Sequence, residues 1–215
     1  MHRALRQLTP DLLIGAYRQG VFPMAADRDD PAVYWFTPDP RGIMPLEAFH
    51  VPRSLRRTLR QQRFAIRHDT DFEAVIRGCA APRPDEAQTW INETIIDAYR
   101  ELHRLGYAHS VECWRDGRLM GGLYGLALGG AFFGESMFRD PTTDRSTDAS
   151  KVALAKTVEH LRRRGYLLFD VQFGSDHLAR FGVVEVPRAQ YLARLQQALA
   201  LPVTWRDRSR PGSGG

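Results

Sequence analysis

Lysine, cysteine and long apolar runs are what this chain has least of. Its 30 basic residues include only two lysines, Lys151 and Lys156, so arginine carries the net charge of +5. Arginine's planar fork suits bidentate contacts to phosphate, and a polyanionic partner fits that bias. The two cysteines, Cys79 and Cys113, are too few for a disulfide framework and lack metal-ligand spacing. A reducing compartment and no metal centre are expected. No apolar run approaches the roughly 20 residues of a membrane span. The opening Met1-His-Arg-Ala-Leu-Arg-Gln7 runs into a polar helix and does not resemble a signal peptide. A cytoplasmic protein without membrane contact is expected. No internal repeat is present.

Among what is there, Leu167-Leu-Phe-Asp-Val-Gln-Phe-Gly-Ser-Asp-His177 stands out. It opens as a strand, yet Asp170 and Gln172 interrupt the apolar run two positions apart, where strand side chains share a face. A carboxylate and an amide on a buried strand are costly unless partners satisfy them. Gly174 ends the strand, and Ser175 or Asp176 caps a short helix. A second such stretch is Gly134-Glu-Ser-Met-Phe138. Alternation places Glu135 and Met137 on one face, a pocket for a cation and an aliphatic group together.

Thr9 caps a helix that has Pro10 at its first position and Gly20 as its stop. Val33–Arg41, closed by two prolines, reads as a rigid turn more than a strand. Val51–Arg63 is the most basic run: Leu55 and Leu59 dock one face, leaving Arg53, Arg56, Arg57, Arg60 and Arg63 mostly outward. From Phe64 the rhythm changes. A strand (64–68), a helix (70–79), the loop Ala81–Gln88 and a helix from Asn92 to Leu105 lead to three strands at 109–115, 119–128 and 131–138. Asp116-Gly117 and Gly129-Gly130 join these as tight hairpins. A long helix capped by Asp148 runs to Arg162-Arg-Arg164, followed by the Asp170 strand, a strand at 183–186 and a last helix over 188–199.

The expected plan is α+β, with a small N-terminal domain (residues 1–63) packed on a mixed-sheet domain (64–202) and a disordered tail (203–215). The larger domain is similar to the acetyltransferase fold (GNAT-type). A coenzyme A user of that fold needs a helix N-terminus free to receive a pyrophosphate, and the acidic start of the long helix argues against one.

Tyr17-Arg-Gln-Gly-Val-Phe-Pro23, Trp35-Phe-Thr-Pro-Asp-Pro-Arg41, Thr89-Trp-Ile91, Gly121-Gly-Leu-Tyr-Gly125, Gly134-Glu-Ser-Met-Phe138, Asp148-Ala-Ser-Lys151 and Phe169-Asp-Val-Gln172 occur in this order. Together they resemble the leucyl/phenylalanyl-tRNA–protein transferases. The resemblance implies transfer of leucine or phenylalanine, with methionine as a further donor, from aminoacyl-tRNA to the α-amino group of proteins beginning with Arg or Lys, marking them for degradation. It implies that Asp170 and Gln172 lie at the reacting amine, that Glu135 recognises the basic acceptor residue, and that Trp90 holds the aminoacyl-adenosine end. Met24 stands where relatives often carry tryptophan, and Ser175 where some carry asparagine. With Met137, these complete the expected aminoacyl-adenosine pocket. The loop Arg139–Thr147 is longer than is usual in relatives.

The chemistry itself asks for little. Aminoacyl-tRNA is an activated ester, so its aminolysis needs a neutral amine held in line, a proton acceptor and oxyanion stabilisation, with no metal or organic cofactor. Arg53, Arg56, Arg57, Arg60, Arg162, Arg163 and Arg164 would hold the tRNA backbone without reading sequence. No long apolar face is left over, so a monomer is expected. Two other readings remain: a coenzyme A-dependent N-acyltransferase, and a non-catalytic module that binds RNA or protein N-termini.

Overall fold

The computed structural model describes residues 8–82 and 88–206. The remaining residues, which include the opening segment, most of the Ala81–Gln88 loop and residues 207–215 of the expected tail, lie outside that description. The elements are α1 (Pro10–Arg18), β1 (Phe22–Ala25), β2 (Val33–Phe36), β3 (Arg41–Ile43), α2 (Arg53–Arg60), β4 (Ala65–His68), α3 (Phe72–Ala80), α4 (Glu93–Arg104), β5 (Ala108–Arg115), β6 (Arg118–Leu128), β7 (Ala131–Arg139), α5 (Ala149–Arg164), β8 (Leu168–Gln172), α6 (Asp176–Ala179), β9 (Val184–Val186) and α7 (Arg188–Leu199).

Local chemistry sets many of these boundaries. Thr9, Asp71 and Asn92 each accept a backbone N–H in the first turn of their helix. Asp116 and Gly117 both take positive φ, as a two-residue hairpin loop of the type that matches strand twist requires. Asp148 is the N-cap residue of α5 as expected, its carbonyl accepting from Val152 N–H, but its side chain does not bond a backbone N–H of the first turn. Its carboxylate instead accepts from Thr58 Oγ1 (3.0 Å) and Lys151 Nζ (2.8 Å). Val33–Phe36, expected as a turn, is a strand. It pairs antiparallel with β1, Phe22 opposite Phe36 and Met24 opposite Tyr34.

Seven strands form one mixed sheet in the order β4-β5-β6-β7-β8-β3-β9, and only β7 and β8 run parallel. This antiparallel meander, crossover helix and parallel strand is the α+β, acetyltransferase-type plan anticipated. β3 comes from the segment expected to form a separate N-terminal domain, yet it lies between β8 and β9 in the large sheet. Two apolar cores cover the two faces. Residues of α1, α3, α4, α7 and β1 line one, and residues of α2, α5 and Phe181 the other.

Part of the expected tail is packed. Trp205 is 4% exposed and stacks on His109 (ring centroids 4.7 Å) and Phe132 (5.2 Å). Its carbonyl meets His160 Nε2 at 3.0 Å. Truncating a buried tryptophan costs about 3–5 kcal/mol. Trp205→Ala should lower unfolding free energy by about 3 kcal/mol in urea titrations, whereas an unpacked tail predicts no change.

Candidate active site

β7 and β8 pair only from Ala131–Phe133 to Leu168–Asp170, and beyond that the two strands part. Each is irregular where they separate. Along β7 the register with β6 passes from Gly134 to Ser136 over one step of β6, so Glu135 is an extra residue. Along β8 the register with β3 passes from Asp170 to Gln172 over one step, so Val171 is extra. Such bulges re-aim side chains and end pairing. Here they open a cleft in the sheet and bring Glu135 and Gln172 together across it, Gln172 Nε2 lying 3.4 Å from Glu135 Oε1.

Asp170 is fully enclosed. Arg41, itself 1% exposed, binds it through two parallel bonds, Nε to Oδ1 (2.9 Å) and Nη2 to Oδ2 (2.7 Å). Tyr191 Oη donates to Oδ2 (2.7 Å) and the Gln172 N–H to Oδ1 (2.8 Å). Four donors fill the four lone-pair directions of a carboxylate. Gln172 has φ of 59°, in the left-handed region, and Phe173 N–H closes the turn onto Val171 O at 2.7 Å.

Tyrosines surround Glu135. Tyr17 Oη donates to Oε1 at 2.7 Å and also bonds Tyr99 Oη. The Tyr124 hydroxyl is buried and has no partner among the described residues. Burial pushes the Glu135 carboxyl up to about 8, the Tyr17 bond pulling the other way and the Asp170 charge adding to the rise. Burial also raises the Tyr17 and Tyr99 hydroxyls well above the ordinary tyrosine value.

The other expected residues divide. Met24 and Trp90 lie on neighbouring segments: the Ala25 N–H donates to Trp90 O (3.0 Å), and both side chains pack against the core that contains Tyr17. Met137 does not join Glu135. The extra residue at Glu135 breaks the alternation, and Met137 turns to the opposite face, against the α5 core. There it lines a cavity of about 480 Å³ with Phe138, Lys151 and His177. The Ser175 hydroxyl caps α6 by accepting from Leu178 N–H.

Arg53, Arg56, Arg57 and Arg60 are exposed on α2 while Leu55 is buried, as expected. Arg162, Arg163 and Arg164 have intramolecular uses. They donate respectively to Leu46 O, to His160 Nδ1 (3.1 Å), and to Thr204 O (3.0 Å) and Arg206 O (2.9 Å). Sequence reasoning gave no role to Arg41, Tyr17, Tyr99 or Tyr191. Arg41 and Tyr17 each end or begin a family-like stretch, which was the available signal.

A carboxyl with a raised pKa beside an amide, backed by an enclosed ion pair, marks this cleft as the candidate active site. Comparison makes the class specific. Residues 43–196 match the model of the leucyl/phenylalanyl-tRNA protein transferases, and residues 6–39 match that family's N-terminal domain. A leucyl/phenylalanyl-tRNA–protein transferase of Paramagnetospirillum magneticum is 58% identical over 205 residues, covering 95% of each chain. The chain belongs to this family. More distant likenesses are to a putative GNAT-family acetyltransferase of Desulfovibrio desulfuricans (17% identity, 47% of this chain and 67% of that one, TM-score 0.33) and to the C-terminal domain of a putative lysylphosphatidylglycerol synthetase of Agrobacterium fabrum (16%, 90% and 64%, TM-score 0.42).

Glu135 gives a pH prediction. A carboxyl raised on folding contributes stability that is complete below its unfolded value and is lost as pH rises through the folded value. Between the ordinary value of 4.5 and about 8, wild type should lose thermal midpoint relative to Glu135→Gln, with no further loss above that. Parallel midpoints across that range would place the carboxyl at its ordinary value.

Proposed function

We propose that this protein transfers leucine or phenylalanine, with methionine as a further donor, from aminoacyl-tRNA to the α-amino group of polypeptides beginning with Arg or Lys, creating a degradation signal. The observation that carries this reading is Glu135: a half-buried carboxyl among tyrosine hydroxyls, bonded to the side chain of Gln172. A guanidinium or ammonium entering that pocket draws the carboxyl into its ionised form and gains a charge-assisted bond. The α-amine of the same residue then lies near Gln172, whose side-chain oxygen accepts one of its N–H bonds.

The reaction needs no covalent intermediate. The neutral amine attacks the ester carbonyl and a C–N bond forms. The C–O bond to the terminal ribose breaks, and the proton leaving nitrogen passes to that ribose oxygen. Gln172 contributes by holding the nucleophile in line, which is where most of the acceleration of an activated ester's aminolysis arises. Asp170 has no open face, so it acts through the Gln172 backbone and not on the amine directly.

Trp90 and Met24 are the proposed seat of the terminal adenosine. Aliphatic pockets separate donors that differ by one methylene by only about 1–3 kcal/mol, which fits a relaxed donor choice. The exposed arginines of α2 supply the tRNA backbone contacts, with Arg162 and Arg163 as a further stretch along the same layer. No helix among the described residues is long and apolar enough to cross a membrane, and we take the protein as a cytoplasmic monomer. A coenzyme A-dependent reaction is disfavoured because the Asp148 carboxylate occupies the start of α5.

The test is transfer of labelled leucine from charged tRNA to an arginine-first peptide, with an alanine-first peptide as control. Label should appear on the arginine peptide alone, and Glu135→Gln should weaken that acceptor while leaving tRNA binding unchanged. Equal loss with basic and non-basic acceptors would remove Glu135 from acceptor recognition.

A further inference from the structure

We propose that Arg41 is a positioning residue for aminoacyl transfer, fixing Gln172 through Asp170. The inference rests on the reading of Gln172 as the amine-binding group.

Nothing about packing requires an arginine here. An enclosed ion pair can often be replaced by apolar residues of similar volume without loss of stability. What an apolar pair cannot do is set the plane and rotation of a carboxylate. Arg41 approaches Asp170 fork to fork, Nε on Oδ1 and Nη2 on Oδ2, and that geometry admits one orientation of the carboxylate. Its third bond, Nη1 to Gly20 O at 3.0 Å, ties the guanidinium to the end of α1. The rings of Phe22 and Tyr191 lie 4.6 Å and 4.7 Å from its central carbon and close off other rotamers. The guanidinium is held on every side.

The consequence appears at Gln172. With the carboxylate so oriented, Oδ1 is presented to the Gln172 N–H at 2.8 Å. That bond holds the residue at positive φ, a strained conformation for a side-chain-bearing residue that persists only where its surroundings over-determine it. The left-handed turn is what carries the amide off the strand direction and across the cleft to Glu135. Arg41 therefore acts on Gln172 through two successive hydrogen-bonded links, and Asp170 serves as an orienting anion in place of a proton acceptor. Lysine offers one point charge and no fork, so it would keep the charge and lose the orientation.

A double-mutant cycle separates this role from general support of the fold. Arg41→Lys, Gln172→Ala and the double variant are compared for kcat and KM with an arginine-first peptide, alongside aminoacyl-tRNA binding. Arg41→Lys should bind tRNA as wild type does and lose about 10²-fold in kcat, the scale of an ångström-level misplacement. On the Gln172→Ala background the same substitution should change kcat by no more than about twofold. An equal loss on both backgrounds would overturn the proposal, as would an unchanged kcat in Arg41→Lys. If Arg41→Lys does not fold, Tyr191→Phe, which removes one bond from the same carboxylate, takes its place in the cycle. It should show a smaller loss that again vanishes without Gln172, and equal loss on both backgrounds again overturns the proposal. Absence of transfer by wild type itself would reject the transferase reading instead.

Discussion

The cleft depends on an ion pair that water does not reach. Arg41 and Asp170 are 1% and 0% exposed, and removing either partner from such a pair strands a buried charge at a cost of about 3–5 kcal/mol. The pair joins β3 to β8, reaches α1 through Gly20 and α7 through Tyr191, and ends at the backbone of Gln172. Elements from both ends of the chain thus meet at one carboxylate. Gly42 makes the meeting possible: a Cβ there would lie 2.7 Å from the carbonyl carbon of Phe173, so only glycine lets β3 lie against the turn that follows Gln172.

The cleft itself is a failure of strand pairing put to use. β7 and β8 share a short parallel ladder and then separate, each with one residue too many. The extra residue on β7 is Glu135 and the one on β8 lies between Asp170 and Gln172. The same irregularity that opens the sheet also aims the two polar side chains at each other. Electrostatics then divides their work. Asp170 is saturated and fixed, whereas burial raises the Glu135 carboxyl to about 8.

Much of this was legible in the sequence, wherever the signal was local. Thr9, Asp71 and Asn92 announce helices by side-chain chemistry, Asp116-Gly117 announces a hairpin, and two polar residues in an apolar strand flag Asp170 and Gln172. Family-like stretches then supplied the reaction class. What stayed hidden required knowing where bulges fall. Strict alternation put Met137 beside Glu135, and one inserted residue moved it to the other face. Two prolines made Val33–Phe36 look like a turn, because the partner strand Phe22–Ala25 contains a proline too and offers a weak pattern of its own. Arg41 was invisible as a site residue because its partner lies 129 positions away. The intramolecular bonds of Arg162–Arg164 were hidden too, because a run of arginines does not reveal which donors reach carbonyls and a histidine of the same chain.

The most direct test of the account is a crystal structure with a non-hydrolysable 3′-amide analogue of leucyl-adenosine and an arginine-first dipeptide bound. The account predicts the dipeptide α-amine within hydrogen-bonding distance of the Gln172 side chain, its guanidinium on Glu135, and Asp170 still enclosed by Arg41 and Tyr191. An α-amine in direct contact with Asp170, or a guanidinium seated away from Glu135, would contradict it.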